Sequence, residues 1–203
     1  MRTLRIDGRV VVTPLAGGPV DLPPKAARLA ARAAAEHASI ASYTRASLEL
    51  IALGAPADLL EATHRAALDE VEHARQCYAL ASKLAGRELQ PGSVPQAPLT
   101  PPTFASAAVA TLHDACISES TSAARAREWM ESEADPEIAA TLAHIAADED
   151  RHAQLAHETL AWLVSAGERM AVDALREAIA CLPADRVPSN ITSLLAQYQS
   201  RLE

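Results

Sequence analysis

Aromatic residues make up only 3% of this chain, with a single phenylalanine. Hydrophobic residues nevertheless reach 49%, and many of these are alanine. Small helix-forming side chains at that density favour closely packed helices over a sheet-based fold. No run of 18 apolar residues exists, and the opening MRTLRIDGRVVVTPLAGG lacks the apolar centre of a secretion signal. The three cysteines, Cys77, Cys116 and Cys181, stand apart with no C-x-x-C and no framework spacing, which fits a reducing compartment. An excess of positive charge is also missing. The formal net charge is −8, which gives no footprint for nucleic acid or an anionic membrane. The expectation is a soluble, cytoplasmic, all-α protein of 203 residues with one main domain.

Local signals divide the chain. Residues 1–24 read as an N-terminal extension, with a short strand pair about Asp7-Gly8 before proline and glycine. A helix then runs from Pro24 to about Leu53, where Gly54 and Pro56 stop it, and a second continues to Gly86. After the proline-rich GRELQPGSVPQAPLTPP, Thr103 is an N-cap for a third helix reaching about Glu133. Asp135-Pro136 caps a fourth, to about Ala166. Shorter helical pieces are expected near 168–180 and 189–202. The main body is thus 25–166 and the C-terminal segment 167–203. Extended chain covers roughly 3.3 Å per residue, so the proline-rich link can reach some 55 Å, more than a 28-residue helix of about 42 Å. It can therefore cross the whole bundle and make helices two and three parallel.

The segment ADEDRHAQLA (147–156) loads one turn of the fourth helix with charge. Its Glu149-x-x-His152 puts a carboxylate and an imidazole on one face. With 16 glutamates and 7 histidines, one such pair carries little weight, but there are three. Phase sorts them. Glu70 and His73 share a face with Ala66, Ala67, Ala74, Cys77, Ala81 and Leu84, whereas Glu61 and His64 share one with Arg65, Leu68, Glu72, Arg75 and Lys83. Glu149 and His152 align with Ile138, Leu142, Ile145, Ala156 and Leu160, while Asp150, Arg151 and His144 fall toward the other side. Helix one places Glu36 among Leu29, Ala33, Ile40, Tyr43 and Ile51, and helix three places Glu119 among Leu112, Cys116, Ala123 and Met130. Each long helix carries one glutamate on its apolar stripe. DEVEHA against DEDRHA, and Glu36-x-x-Ser39 against Glu119-x-x-Ser122, suggest an internal duplication.

Four buried carboxylates repel one another and are driven toward protonation unless cations offset them. Two divalent ions do so, and mixed oxygen and imidazole ligation suits iron or manganese. One glutamate from each of two helices plus E-x-x-H from each of the other two is the arrangement of di-iron bundles. On these six positions the chain resembles the ferritin-like di-iron carboxylate superfamily over about residues 25–166. The resemblance implies a four-helix bundle with one long crossover between helices two and three. It implies two iron ions (manganese also fits), with Glu36 and Glu119 as terminal carboxylates, Glu70 and Glu149 as bridging ones, and His73 and His152 as imidazole ligands. DEDRH is similar to the form seen in oxygen-activating members, which makes Asp69, Asp148 and Arg151 candidates to orient the ligands. In the other half Glu72 stands where the arginine would be.

Tyr43, two turns past Glu36, is a candidate catalytic hydroxyl, with core packing as the plainer reading. Cys77 and Cys116 read as packing residues, and His37, His64, His113, His144 and His157 as structural or exposed. The function implied is a di-iron oxidoreductase, an oxidase or monooxygenase using dioxygen on a small organic or carrier-bound substrate, with electrons from an external donor. Iron oxidation and storage of the ferritin or bacterioferritin kind is the alternative, as is peroxide removal. The paired C-x-x-C of rubrerythrin-like peroxidases is absent, and Met130 is the one plausible haem ligand within the bundle. A small assembly such as a homodimer fits an enzyme; a hollow shell fits storage.

Overall fold

The computed structural model describes residues 1–95 and 98–183, together with 191, 193 and 195. Among these residues the fold is all-α apart from one small hairpin. β1 (Arg5–Ile6) pairs antiparallel with β2 (Arg9–Val10) about Asp7-Gly8. The helices are α1 (Pro24–Ala52), α2 (Ala57–Ala85), α3 (Phe104–Thr111), α4 (Ile117–Ser132) and α5 (Pro136–Ala180). A π-helical turn, Leu112–Cys116, joins α3 to α4 in one continuous rod.

The ends form where local chemistry dictates. Pro24 occupies the first turn of α1, where its missing N–H costs nothing. Gly86 ends α2 in the left-handed region (φ 66°), which glycine reaches without strain. Thr103 and Ser106 cap α3 reciprocally, each hydroxyl accepting from the other's backbone N–H. Asp135 accepts from the Glu137 amide at 2.9 Å at the start of α5. The expected break near Ala166 is a single residue: Glu168 (φ 48°, ψ −135°) interrupts α5, and the helix resumes at once. The helix expected at 189–202 lies outside the described residues except at Ile191, Ser193 and Leu195.

Ion pairs give the directions. Lys25 meets Glu133 at 2.7 Å and Lys83 meets Glu137 at 2.5 Å. The start of α1 thus lies beside the end of α4, and the end of α2 beside the start of α5. With α1–α2 and α4–α5 as antiparallel hairpins, α2 runs parallel to the α3–α4 rod, so the proline-rich link crosses the molecule. Its first residues pair with the N-terminal extension, where the Ala16 amide donates to Gln90 and the Gly92 amide to Pro14.

Two apolar clusters fill the ends. Leu29, Cys77, Trp129, Leu142 and Ile145 pack at one, and Leu112, Leu160, Leu163, Val172 and Leu175 at the other. The charged positions lie between them. Two stripe assignments fail: Leu84, in the last turn of α2, is 36% exposed, and Ile51 is 54% exposed. It stands 15 residues beyond Glu36, about 60° off its phase at 3.6 residues per turn, at the solvent end of α1. No described helix is long and apolar enough to cross a membrane.

Candidate metal centre

Glu36 on α1, Glu70 and His73 on α2, Glu119 on α4, and Glu149 and His152 on α5 converge at mid-height. The four glutamates and His73 have no exposed surface, and His152 has 3%. Glu61 and His64 lie outside, with Glu61 paired to Arg65 in solvent. The six form two groups of possible ligand atoms, Glu36–Glu70–His73 and Glu70–Glu119–Glu149–His152. Glu70 belongs to both. Glu149, expected to bridge as well, belongs to one; its Oε1 accepts from Ser122 Oγ at 2.5 Å and from Arg32 at 3.3 Å.

Each histidine is held from behind by the opposing hairpin. His73 Nε2 lies 2.9 Å from Asp148 Oδ2, and His152 Nε2 lies 3.1 Å from Asp69 Oδ2. Those carboxylates accept from Nε2–H, which leaves each Nδ1 lone pair facing the cluster. Arg151 spans both acids, 2.6 Å from Asp148 and 3.5 Å from Asp69, though its own side chain is largely exposed. Tyr43 donates its hydroxyl to Glu119 Oε1 at 2.7 Å and meets the His152 ring edge-on. His144 is exposed and lies 3.7 Å from Asp148. Cys77 and Cys116 are fully buried, and burial pushes both thiols up to about 12. They are packing groups.

Three cations or donors at the cluster went unforeseen. The Met1 ammonium contacts Glu119 and Glu149 and lies 3.7 Å from Glu70. Arg32 Nε approaches Glu36 Oε1 at 2.8 Å without aligning its N–H on that oxygen, an ion contact rather than a hydrogen bond. Ser122 joins Glu149 to Arg32. Arg32 had a signal: it sits four residues before Glu36, on the same stripe. Met1 had none, since its position depends on how the extension docks.

The electrostatics follow from burying like charges. Burial pushes the Glu36 carboxyl up to about 7 against the pull of Arg32. Burial also opposes ionisation of Glu70, yet the Met1 ammonium and both histidines hold it well below the usual range. Both histidines are raised despite burial, because carboxylates surround them.

The donor set fits metal ions. Both oxygens of Glu36 and Glu70 and the Nδ1 atoms of His73 and His152 are buried without a hydrogen-bond partner. Unsatisfied buried polar atoms cost about 1–3 kcal/mol each, so six at one point require a compensating charge. The Met1 ammonium supplies one positive charge at the place where divalent ions would supply more. No family model, curated protein or solved structure matches the chain, so its functional reading rests on this chemistry.

Proposed function

We propose that the chain is a ferritin-like di-iron carboxylate protein, a four-helix bundle with one long crossover that uses dioxygen to oxidise or hydroxylate an organic substrate. One observation carries the reading: six buried ligand atoms of the types iron favours, none with a hydrogen-bond partner, converge in the interior. Glu36, Glu70 and His73 would hold one ion; Glu119, Glu149, Glu70 and His152 the other. Manganese suits the same donors. Bound in the ferrous state, a pair of ions there would supply part of the electrons that reduction of dioxygen takes, the rest coming from the substrate.

The chain's own residues set the conditions. Asp148 and Asp69 fix the tautomer and aim of the two rings. Tyr43 holds its proton on Glu119, and its ionisation is pushed well above the ordinary range by burial and the neighbouring carboxylates, so it serves as a donor and not a base. The apolar clusters above and below exclude water from the carboxylates. Electrons for repeated turnover come from an external donor.

Aerobic titration with ferrous iron, followed by ferric absorbance, tests the reaction class. The enzyme reading expects saturation near two ions per chain. Continued uptake to tens of ions would replace it with iron storage. Glu70→Ala should abolish binding of both ions while Glu61→Ala leaves it intact; equal losses would show that the cluster is not the metal site.

A further inference from the structure

The cluster has two approaches, and they differ in size and charge. Beside Tyr43 and His152 lies a cavity of about 20 Å³, walled by Leu50, Thr63, Leu155 and Leu163. That is room for a molecule the size of water or dioxygen. On the other side a groove of about 820 Å³ runs between α1 and α4 and reaches Met1, Arg32 and Ser122, the residues that touch Glu149.

That groove is basic on a molecule of net charge −8. Arg5, Arg28, Arg32, Arg125 and His113 line it against one acid, Glu128. Arg5 is committed to Asp114, and Arg32 to Glu36 and Glu149. Arg28 and Arg125 have no carboxylate partner among the described residues. The Arg28 guanidinium lies over the Trp129 ring, 3.8 Å from its centroid, a cation–π contact that leaves its charge without a carboxylate to neutralise it. Ile117, Val10 and Ala35 supply apolar walls.

We propose that this groove binds an amphipathic organic anion, a carboxylate or phosphate monoester on an apolar body, with its head group on Arg28 and Arg125 and its body directed past Ser122 toward Glu149. The proposal rests on the di-iron reading for what happens there, but not for the binding itself. Two guanidinium forks without carboxylate partners match the two oxygens of such a head group, and Ile117, Val10 and Ala35 match an apolar body. An organic molecule does not fit the 20 Å³ cavity, so the wide groove takes the substrate and the narrow cavity is left for dioxygen.

Trp129 reports on occupancy, since Trp162 lies elsewhere, against Phe104. The full chain is titrated with 4-phenylbutyrate, phenethyl phosphate and 4-phenylbutyramide while tryptophan fluorescence and metal content are followed. At least one anion should quench saturably and bind about tenfold or more tighter than the neutral amide, the size of one charge-assisted hydrogen bond. The doubly substituted Arg28→Gln/Arg125→Gln protein should lose that preference and keep its metal content, and Arg127→Gln, outside the groove, should retain both. Equal binding of amide and anions, no saturable quenching, or an unchanged preference in the double variant would overturn the proposal. Metal content is read separately, so loss of charge selectivity with two bound ions refutes the groove alone. Selectivity in a chain that binds no metal refutes the di-iron reading alone.

Discussion

Asp148 on α5 and Asp69 on α2 each reach to the histidine of the opposing helix. The two contacts are reciprocal, and each fixes an imidazole whose other nitrogen faces the cluster. Replacing such a partner typically weakens metal affinity 10- to 100-fold. Asp148→Asn should therefore lower affinity by about that factor in competition with a chelator, and Asp150→Asn, on the solvent side, should not. Equal affinities for the two variants would deny Asp148 a positioning role. Arg32 acts the other way. It competes with an ion for Glu36 and Glu149, so Arg32→Met should tighten the weaker ion. The same change should destabilise the metal-free chain by about 3 kcal/mol, the cost of leaving a buried charge without its partner. Calorimetric metal titration and chemical denaturation read the two effects. The six clustered positions were legible because each charged residue broke an otherwise apolar stripe in phase. Arg32 broke one as well. Tyr43's partner was not legible, because Glu119 comes from a helix 76 residues away and no spacing encodes that meeting.

The element that sequence could not disclose is the π turn at Leu112–Cys116. LHDAC contains nothing that an α-helix refuses, and the extra residue is stabilised by partners from outside the helix. The Asp114 carbonyl accepts from the Thr3 amide at 2.7 Å, its carboxylate accepts from Arg5 at 2.6 Å, and Ser118 meets Thr3 at 2.6 Å. The turn is thus the anchor of the N-terminal extension, which carries Met1 to the cluster. Asp114→Ala should raise hydrogen exchange in residues 1–10 while leaving α1 and α2 protected; unchanged exchange would mean the hairpin holds itself. Helix ends were legible for the opposite reason, since prolines, glycines and caps act within a few residues. The break in α5 shows both cases. Gly167-Glu168 marks it, but only packing explains why glycine stands there: a Cβ at Gly167 would lie 2.4 Å from Phe104 Cβ. Gly167→Ala should cost about 1–3 kcal/mol by overpacking, measured by denaturant unfolding.

At the scale of the whole molecule, the folded chain stores like charge that protons relieve and that metal ions would relieve on the proposed reading. Without metal, Glu36 holds its proton to about pH 7 when folded and releases it near the ordinary 4.5 when unfolded. Between those values the folded state binds more protons than the unfolded, so stability falls as pH rises. His73 and His152, raised above the ordinary 6.5, shift it in the same direction at higher pH. Glu70 and Asp148 are lowered, so their stabilisation is lost only as pH falls below the ordinary carboxylate range. The metal-free protein should therefore be most stable at about pH 5 and lose on the order of 3 kcal/mol by pH 7. Metal ligation requires the deprotonated groups, so ion binding expels protons and gains strength as pH rises. At a hundredfold excess over Kd, one bound ion adds about 2.7 kcal/mol. Melting curves from pH 5 to 8, with chelator and with ferrous iron under anaerobic conditions, should separate progressively toward high pH. A metal-free protein whose melting temperature rises from pH 5 to 7 would show that the carboxylates are relieved by something other than protons. If ferrous iron then raised stability equally at every pH, its ligands would not be the groups that titrate.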